Sequence, residues 1–152
     1  MKLVKLVLLF SVFISTSVFA AEGLIAIKSQ HSVTQTLDNL SEGLTAKGMT
    51  VFSRIDHQAG ASKVGKQLRA TSLLIFGNPN VGTPLMQCQQ SIAMDLPQKM
   101  LAWQDEQGQV WLGYNDPLYL AQRHDIDMDS PCYAVLEKVS VVLENFAQAA
   151  SQ

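Results

Sequence analysis

The hairpin written into residues 98–115 constrains the fold of this chain more than any other feature. Residues 98–105 and 109–115 are rich in apolar and aromatic side chains. Between them, Glu106-Gln107-Gly108 reads as a type I turn closed by a glycine in the left-handed conformation. That loop length sets the register. Trp103 falls opposite Trp111 and Leu101 opposite Gly113 on one face, while Met100, Ala102, Leu112 and Tyr114 lie on the other. Both faces are then substantially apolar. One can pack on helices, and the second calls for a partner: another helix, a ligand or a second subunit.

The elements around the hairpin follow from periodicity. Residues 24–28 alternate and form a first strand. Ser32 and Gln35 make a capping box, after which Val33, Leu37, Leu40 and Leu44 recur at helical spacing and must face a sheet. Residues 49–55 read as a second strand and 56–67 as a short polar helix. The nearly continuous apolar run 71–76 reads as a central strand covered on both sides. In the loop that follows, Thr83 is placed as an N-cap with Pro84 at the first position of a helix reaching about Ala93. A short helix or turn spans 118–124. Ser130-Pro131 opens a C-terminal helix whose buried stripe is Val135, Leu136, Val139, Val142, Leu143, Phe146 and Ala150. The expected fold is α+β, two layers, with helices packed on one face of a mainly antiparallel sheet.

Two motif blocks carry a family resemblance: FGNPNVGTPLM at residues 76–86 and DLPQKMLAWQDEQGQVWLGYNDP at 95–117. On these, the chain resembles the bacterial domain-of-unknown-function 302 family, over nearly all of residues 24–147. The FGNP, GTPLM, DLP and YNDP elements are intact, whereas Cys88 stands where relatives often carry a small residue. The resemblance implies a small α+β domain that pairs with itself, and brings no settled activity.

The N-terminus reads as an export signal. Lys2 and Lys5 precede an apolar run at 6–14, and Val18-Phe19-Ala20 offers small residues for cleavage after Ala20. Ser11, Ser15, Thr16 and Ser17 break a span that would need about twenty apolar residues. The expected organisation is a signal peptide at 1–20 and one domain at 21–152, periplasmic or secreted, without a stable membrane anchor. Without Lys2 and Lys5, nine basic face thirteen acidic side chains, a formal charge of −4. No basic run exists, which disfavours nucleic acid as a partner.

Cys88 and Cys132 stand 44 positions apart. In an oxidising compartment they are candidates for a disulfide, and the alternative is two separate buried thiols. The best candidate ligand site is the loop 77–83, where backbone N–H groups at a helix start suit a small anion or carbonyl. Asn78, Gly82 and Thr83 belong to it, and Asn115 and Asp116 join it if the hairpin end lies close. Asp125, Asp127 and Asp129 begin like a calcium loop, but Ser130 and Leu136 occupy the positions of the required Gly and Glu. The leading functional expectation is a non-enzymatic, self-associating binding module, a homodimer without a cofactor. Two alternatives stay open: a small enzyme using Asp116 or His124 as acid/base, and copper or zinc handling through Cys88 with nearby Met and His.

Overall fold

The computed structural model describes residues 21–152, so the export signal assigned to residues 1–20 lies outside the described residues. Five strands, β1 (Leu24–Ser29), β2 (Thr50–Asp56), β3 (Thr71–Gly77), β4 (Gln98–Gln104) and β5 (Val110–Asn115), form one antiparallel sheet. Their order across it is β1-β5-β4-β3-β2, so the hairpin β4–β5 lies at the heart of the sheet. The helices are α1 (Val33–Ala46), α2 (His57–Lys63), α3 (Pro79–Cys88), α4 (Pro117–Arg123) and α5 (Pro131–Ser151), with a short 3-10 helix at Gln90–Met94. The fold is α+β.

The capping and stripe of α1 are those its spacing demands. Ser32 Oγ accepts from the Gln35 N–H, and Leu37, Leu40 and Leu44 are at most 1% exposed. Each such leucine stabilises the fold by roughly 1.5–3 kcal/mol relative to an exposed one, which far outweighs the helix propensity of a half-polar segment. These leucines meet Leu74, Phe76, Met100, Ala102, Leu112 and Tyr114 from the sheet and Leu143, Ala147 and Ala150 from α5. A second, smaller core joins Leu85 of α3, Ile92, Ala121 of α4, Ile126 and Leu136 of α5. The disulfide Cys88–Cys132, with Cα atoms 6.5 Å apart, ties the end of α3 to the start of α5 beside it.

Four details differ from the sequence reading. β3 is not covered on both sides: its residues alternate between buried and half-buried, because α1 and α5 pack on one face only. The helix placed at 84–93 instead starts at Pro79, with Asn78 as N-cap, and ends at Cys88. Asn78-Pro79 carries the same cap-then-proline signal as Thr83-Pro84 and comes first, so Thr83 is an ordinary helical residue and Pro84 lies inside the helix. The polar helix at 56–67 shortens to α2, with Asp56 Oδ1 accepting from the Ala59 N–H as its cap. Val142, assigned to the buried stripe of the last helix, is 46% exposed, and Ala147 takes its place in the core.

Candidate functional site

The open face of the sheet is the first candidate surface. Trp103 pairs with Trp111, and Leu101 pairs with both Gly113 and Leu73. Gly108, at φ +82°, supplies the left-handed residue of the turn, and the Asp105 N–H donates to the Gln109 carbonyl across it. This register sends Met100, Ala102, Leu112 and Tyr114 into the core and leaves Leu101, Trp103, Trp111, Leu73 and Ile75 half-buried on the opposite side. The Trp111 indole N–H donates to Asp105 Oδ2 at 2.7 Å, and the Lys28 ammonium lies 5.4 Å from the centre of the ring. With its polar handle satisfied from inside the chain, Trp111 presents hydrocarbon to whatever meets this face. That same indole bond is the main reason the Asp105 carboxyl is held below its ordinary value, with N–H groups of Gln109 and Gln107 adding to it.

A cavity of about 430 Å³ opens beside the loop singled out in the sequence. Gly77, Asn78, Gly82 and Thr83 line it, together with Leu85, Met86 and Leu96, the sheet edge at Met49 and Phe52, and Val135, Val139, Val142 and Leu143 of α5. The bulge between Val51 and Ser53 takes Phe52 out of the ladder and brings its ring over Gly77, where a Cβ would come within 3.3 Å of it. The walls are almost wholly apolar. The start of α3 offers little to an anion, because its donors are already engaged. Pro79 has no N–H, the Asn80 N–H donates to Asn78 Oδ1, and those of Val81 and Gly82 donate to the Asn78 carbonyl. Asn78 therefore serves its own helix.

Asn115 and Asp116 do not join this cavity. They end β5, two strands away from the end of β3, and Asp116 Oδ1 accepts from the Leu118 N–H as the N-cap of α4. Asp116 instead lines a wider groove with Gly23, Tyr119, Gln122, Asp125, Asp127 and Tyr133. Of the five proposed ligand residues, Asn78, Gly82 and Thr83 line the cavity, Asp116 lines the groove, and Asn115 lines neither.

His124 belongs to an arrangement that no local motif announced. Its Nε2 lies 2.6 Å from Asp95 Oδ2 and its Nδ1 lies 2.9 Å from Ser91 Oγ. Asp95 and His124 are both buried, and Arg123 reaches the other carboxylate oxygen of Asp95 at 3.2 Å. The Gln89 amide also donates to the His124 carbonyl. Ser91 lies in the 3-10 helix and Asp95 at its end, and His124, 29 residues beyond Asp95, meets them because that helix folds against the end of α4. None of the three lines either cavity. The soft-metal reading needed Cys88 as a free thiol, and Cys88 is bonded to Cys132. Among the described residues, no group of three His, Cys, Asp or Glu side chains is placed to hold a metal ion.

The two-layer α+β domain has known counterparts. The profile of the domain of unknown function DUF302 matches residues 25–146, and this chain belongs to that family. The crystal structure of an uncharacterized conserved DUF302 protein from Bacillus stearothermophilus superposes with a TM-score of 0.67. The match covers 86% of this chain and 97% of that one at 19% identity, and it establishes the shared fold. Among curated proteins, the chain is 48% identical over 108 residues to a protein named fluoride-specific ion channel FluC 1 of Brucella suis and to its Brucella abortus counterpart. Those matches take in 71% of this chain but only 42% and 40% of the relatives, so the chain spans about two-fifths of their length.

Proposed function

We propose that this protein is an exported binding and assembly module that pairs with a second copy of itself through the open face of its sheet. The observation that carries the reading is the apolar strip Leu73, Ile75, Leu101, Trp103 and Trp111, on the side of the sheet that α1 and α5 leave bare. Burying large aromatic groups at the centre of such a strip is what a stable, symmetric contact between copies draws on. The cavity at the loop 77–83 is, on this reading, the module's ligand site. Export rests on the leader motif at residues 1–20.

Sedimentation velocity on residues 21–152 tests the pairing. Wild type is expected to run as a dimer across the micromolar range, and Leu101→Lys, which sets a charge in the middle of the strip, as a monomer. A wild-type monomer at the highest concentration, or a dimer indifferent to Leu101→Lys, refutes it.

Two other readings rank below. The names of the Brucella relatives suggest an ion-channel subunit as partner, and it stands second because only part of those proteins is matched. The hydrogen-bonded chain Asp95–His124–Ser91 favours a small enzyme with His124 as the base, since carboxylate, imidazole and hydroxyl follow one another as in a nucleophilic relay. Against it, Ser91 faces neither cavity. A fluorophosphonate that labels Ser91 in wild type and not in His124→Gln would promote this reading over the binding module.

A further inference from the structure

The cavity beside the loop 77–83 has a chemical character that narrows its ligand. It is lined almost entirely by hydrocarbon, and at about 430 Å³ it falls within the roughly 300–1,000 Å³ of small-molecule sites. Beyond Asn78 and Thr83 of the helix itself, two lining side chains break the pattern. Lys138, on α5, is the single charged residue of the wall and makes no ion pair among the described residues. Gln98, at the start of β4, is 8% exposed and sits on the core side of its strand. A bare hydrocarbon filling this space would make no use of the Lys138 charge, and would bring no polar atom to the Gln98 amide. The mouth adds exposed apolar groups of its own: Phe52 is 53% exposed, Val142 46% and Val81 37%.

Resting on the reading of this cavity as a ligand site, we propose that it binds a single-chain aliphatic monocarboxylate. The chain lies along Leu85, Leu96, Val139 and Leu143, Lys138 takes the carboxylate, and Gln98 supplies a neutral donor. An aliphatic acid matches each part of the wall: the methylenes replace water against the apolar side chains, and the single negative charge meets the single positive one. An anion without a chain has little to hold it, because the N–H groups at the start of α3 are taken up by Asn78.

The test uses octanoate, decanoate and dodecanoate, with decanol as the uncharged control, in titration calorimetry against residues 21–152. Binding is expected at one ligand per chain, tightening roughly fourfold for each added methylene. Lys138→Gln is expected to weaken decanoate about tenfold and leave decanol unchanged, as befits one charge-assisted contact. Gly82→Leu should abolish binding of both. Gly82 lines the cavity inside α3 with a Cβ direction that would meet Leu96 at an ordinary 3.8 Å, so the variant plugs the space while keeping a helix-compatible residue. Its far-ultraviolet circular dichroism and sedimentation coefficient should match wild type. Decanol binding as tightly as decanoate overturns the acid specificity while leaving the cavity a ligand site. No saturable binding of any probe, or binding undiminished in Gly82→Leu, overturns both.

Discussion

Gly113 offers the sharpest probe of the open face. A Cβ at this position would sit 2.8 Å from Trp103 Cζ3, 3.0 Å from Cη2 and 3.2 Å from the Ile25 carbonyl oxygen. The indole of Trp103 therefore lies against the glycine, covering backbone that carries no side chain of its own. Gly113→Ala should lift the edge of that ring, and overpacking of this kind costs about 1–3 kcal/mol. The backbone term runs the other way, because alanine in a strand gains roughly 0.5–1 kcal/mol over glycine. The net expectation is a loss of about 0.5–2 kcal/mol in urea unfolding, followed by tryptophan fluorescence and near-ultraviolet circular dichroism. In a Trp103→Ala background the ring is gone and the loss should shrink, leaving the Ile25 carbonyl at 3.2 Å as the contact that still crowds the new methyl. The double-mutant cycle isolates the contact, with an expected coupling of about 1–3 kcal/mol. Coupling below about 0.3 kcal/mol, the ordinary scatter of independent sites, would refute the claim that Trp103 rests on Gly113.

Three further outcomes are expected. Replacing Cys88 and Cys132 together by Ala opens a 44-residue loop in the unfolded chain, and should lower stability by about 4 kcal/mol in the chain-entropy model, read as a shift of the urea midpoint. His124→Ala strips Asp95 and Ser91 of their shared partner and leaves Asp95 only the half-exposed Arg123, so a loss of about 2–3 kcal/mol is expected by the same assay; an effect near zero would mean the network is not formed in solution. Because the folded Asp105 carboxyl titrates below its ordinary 3.8, its contribution to stability is present above that value and disappears as the pH drops through the lower folded one. Unfolding measured between pH 6 and 2 should therefore show a steeper acid loss in wild type than in Asp105→Asn.

What the sequence made legible was local. The three residues between the hairpin arms and the position of Gly108 settled the register, and with it which side of every residue from 98 to 115 faces the helices. The stripe of α1 and its Ser32 cap were equally readable, because periodicity and capping depend on neighbours within one turn. The start of α3 was misread since two Xaa-Pro caps stand five residues apart and propensity does not choose between them. The choice of Asn78 also brings the bulge at Phe52 and the cavity into play, features that depend on contacts between distant strands. The separation of Asn78 from Asp116 follows from β4 lying between β3 and β5, which only the strand order reveals. Ser91, Asp95 and His124 had no shared motif, although the DLP segment that begins at Asp95 was part of the family signature.

The order of strands carries a consequence for how the chain reaches its native state. The two strands made first end up at the two outer edges, and β1 closes on β5 with Leu24 beside Asn115. Whatever emerges early has to wait for a partner synthesised most of a domain later. Such remote closure slows assembly relative to neighbour-to-neighbour pairing.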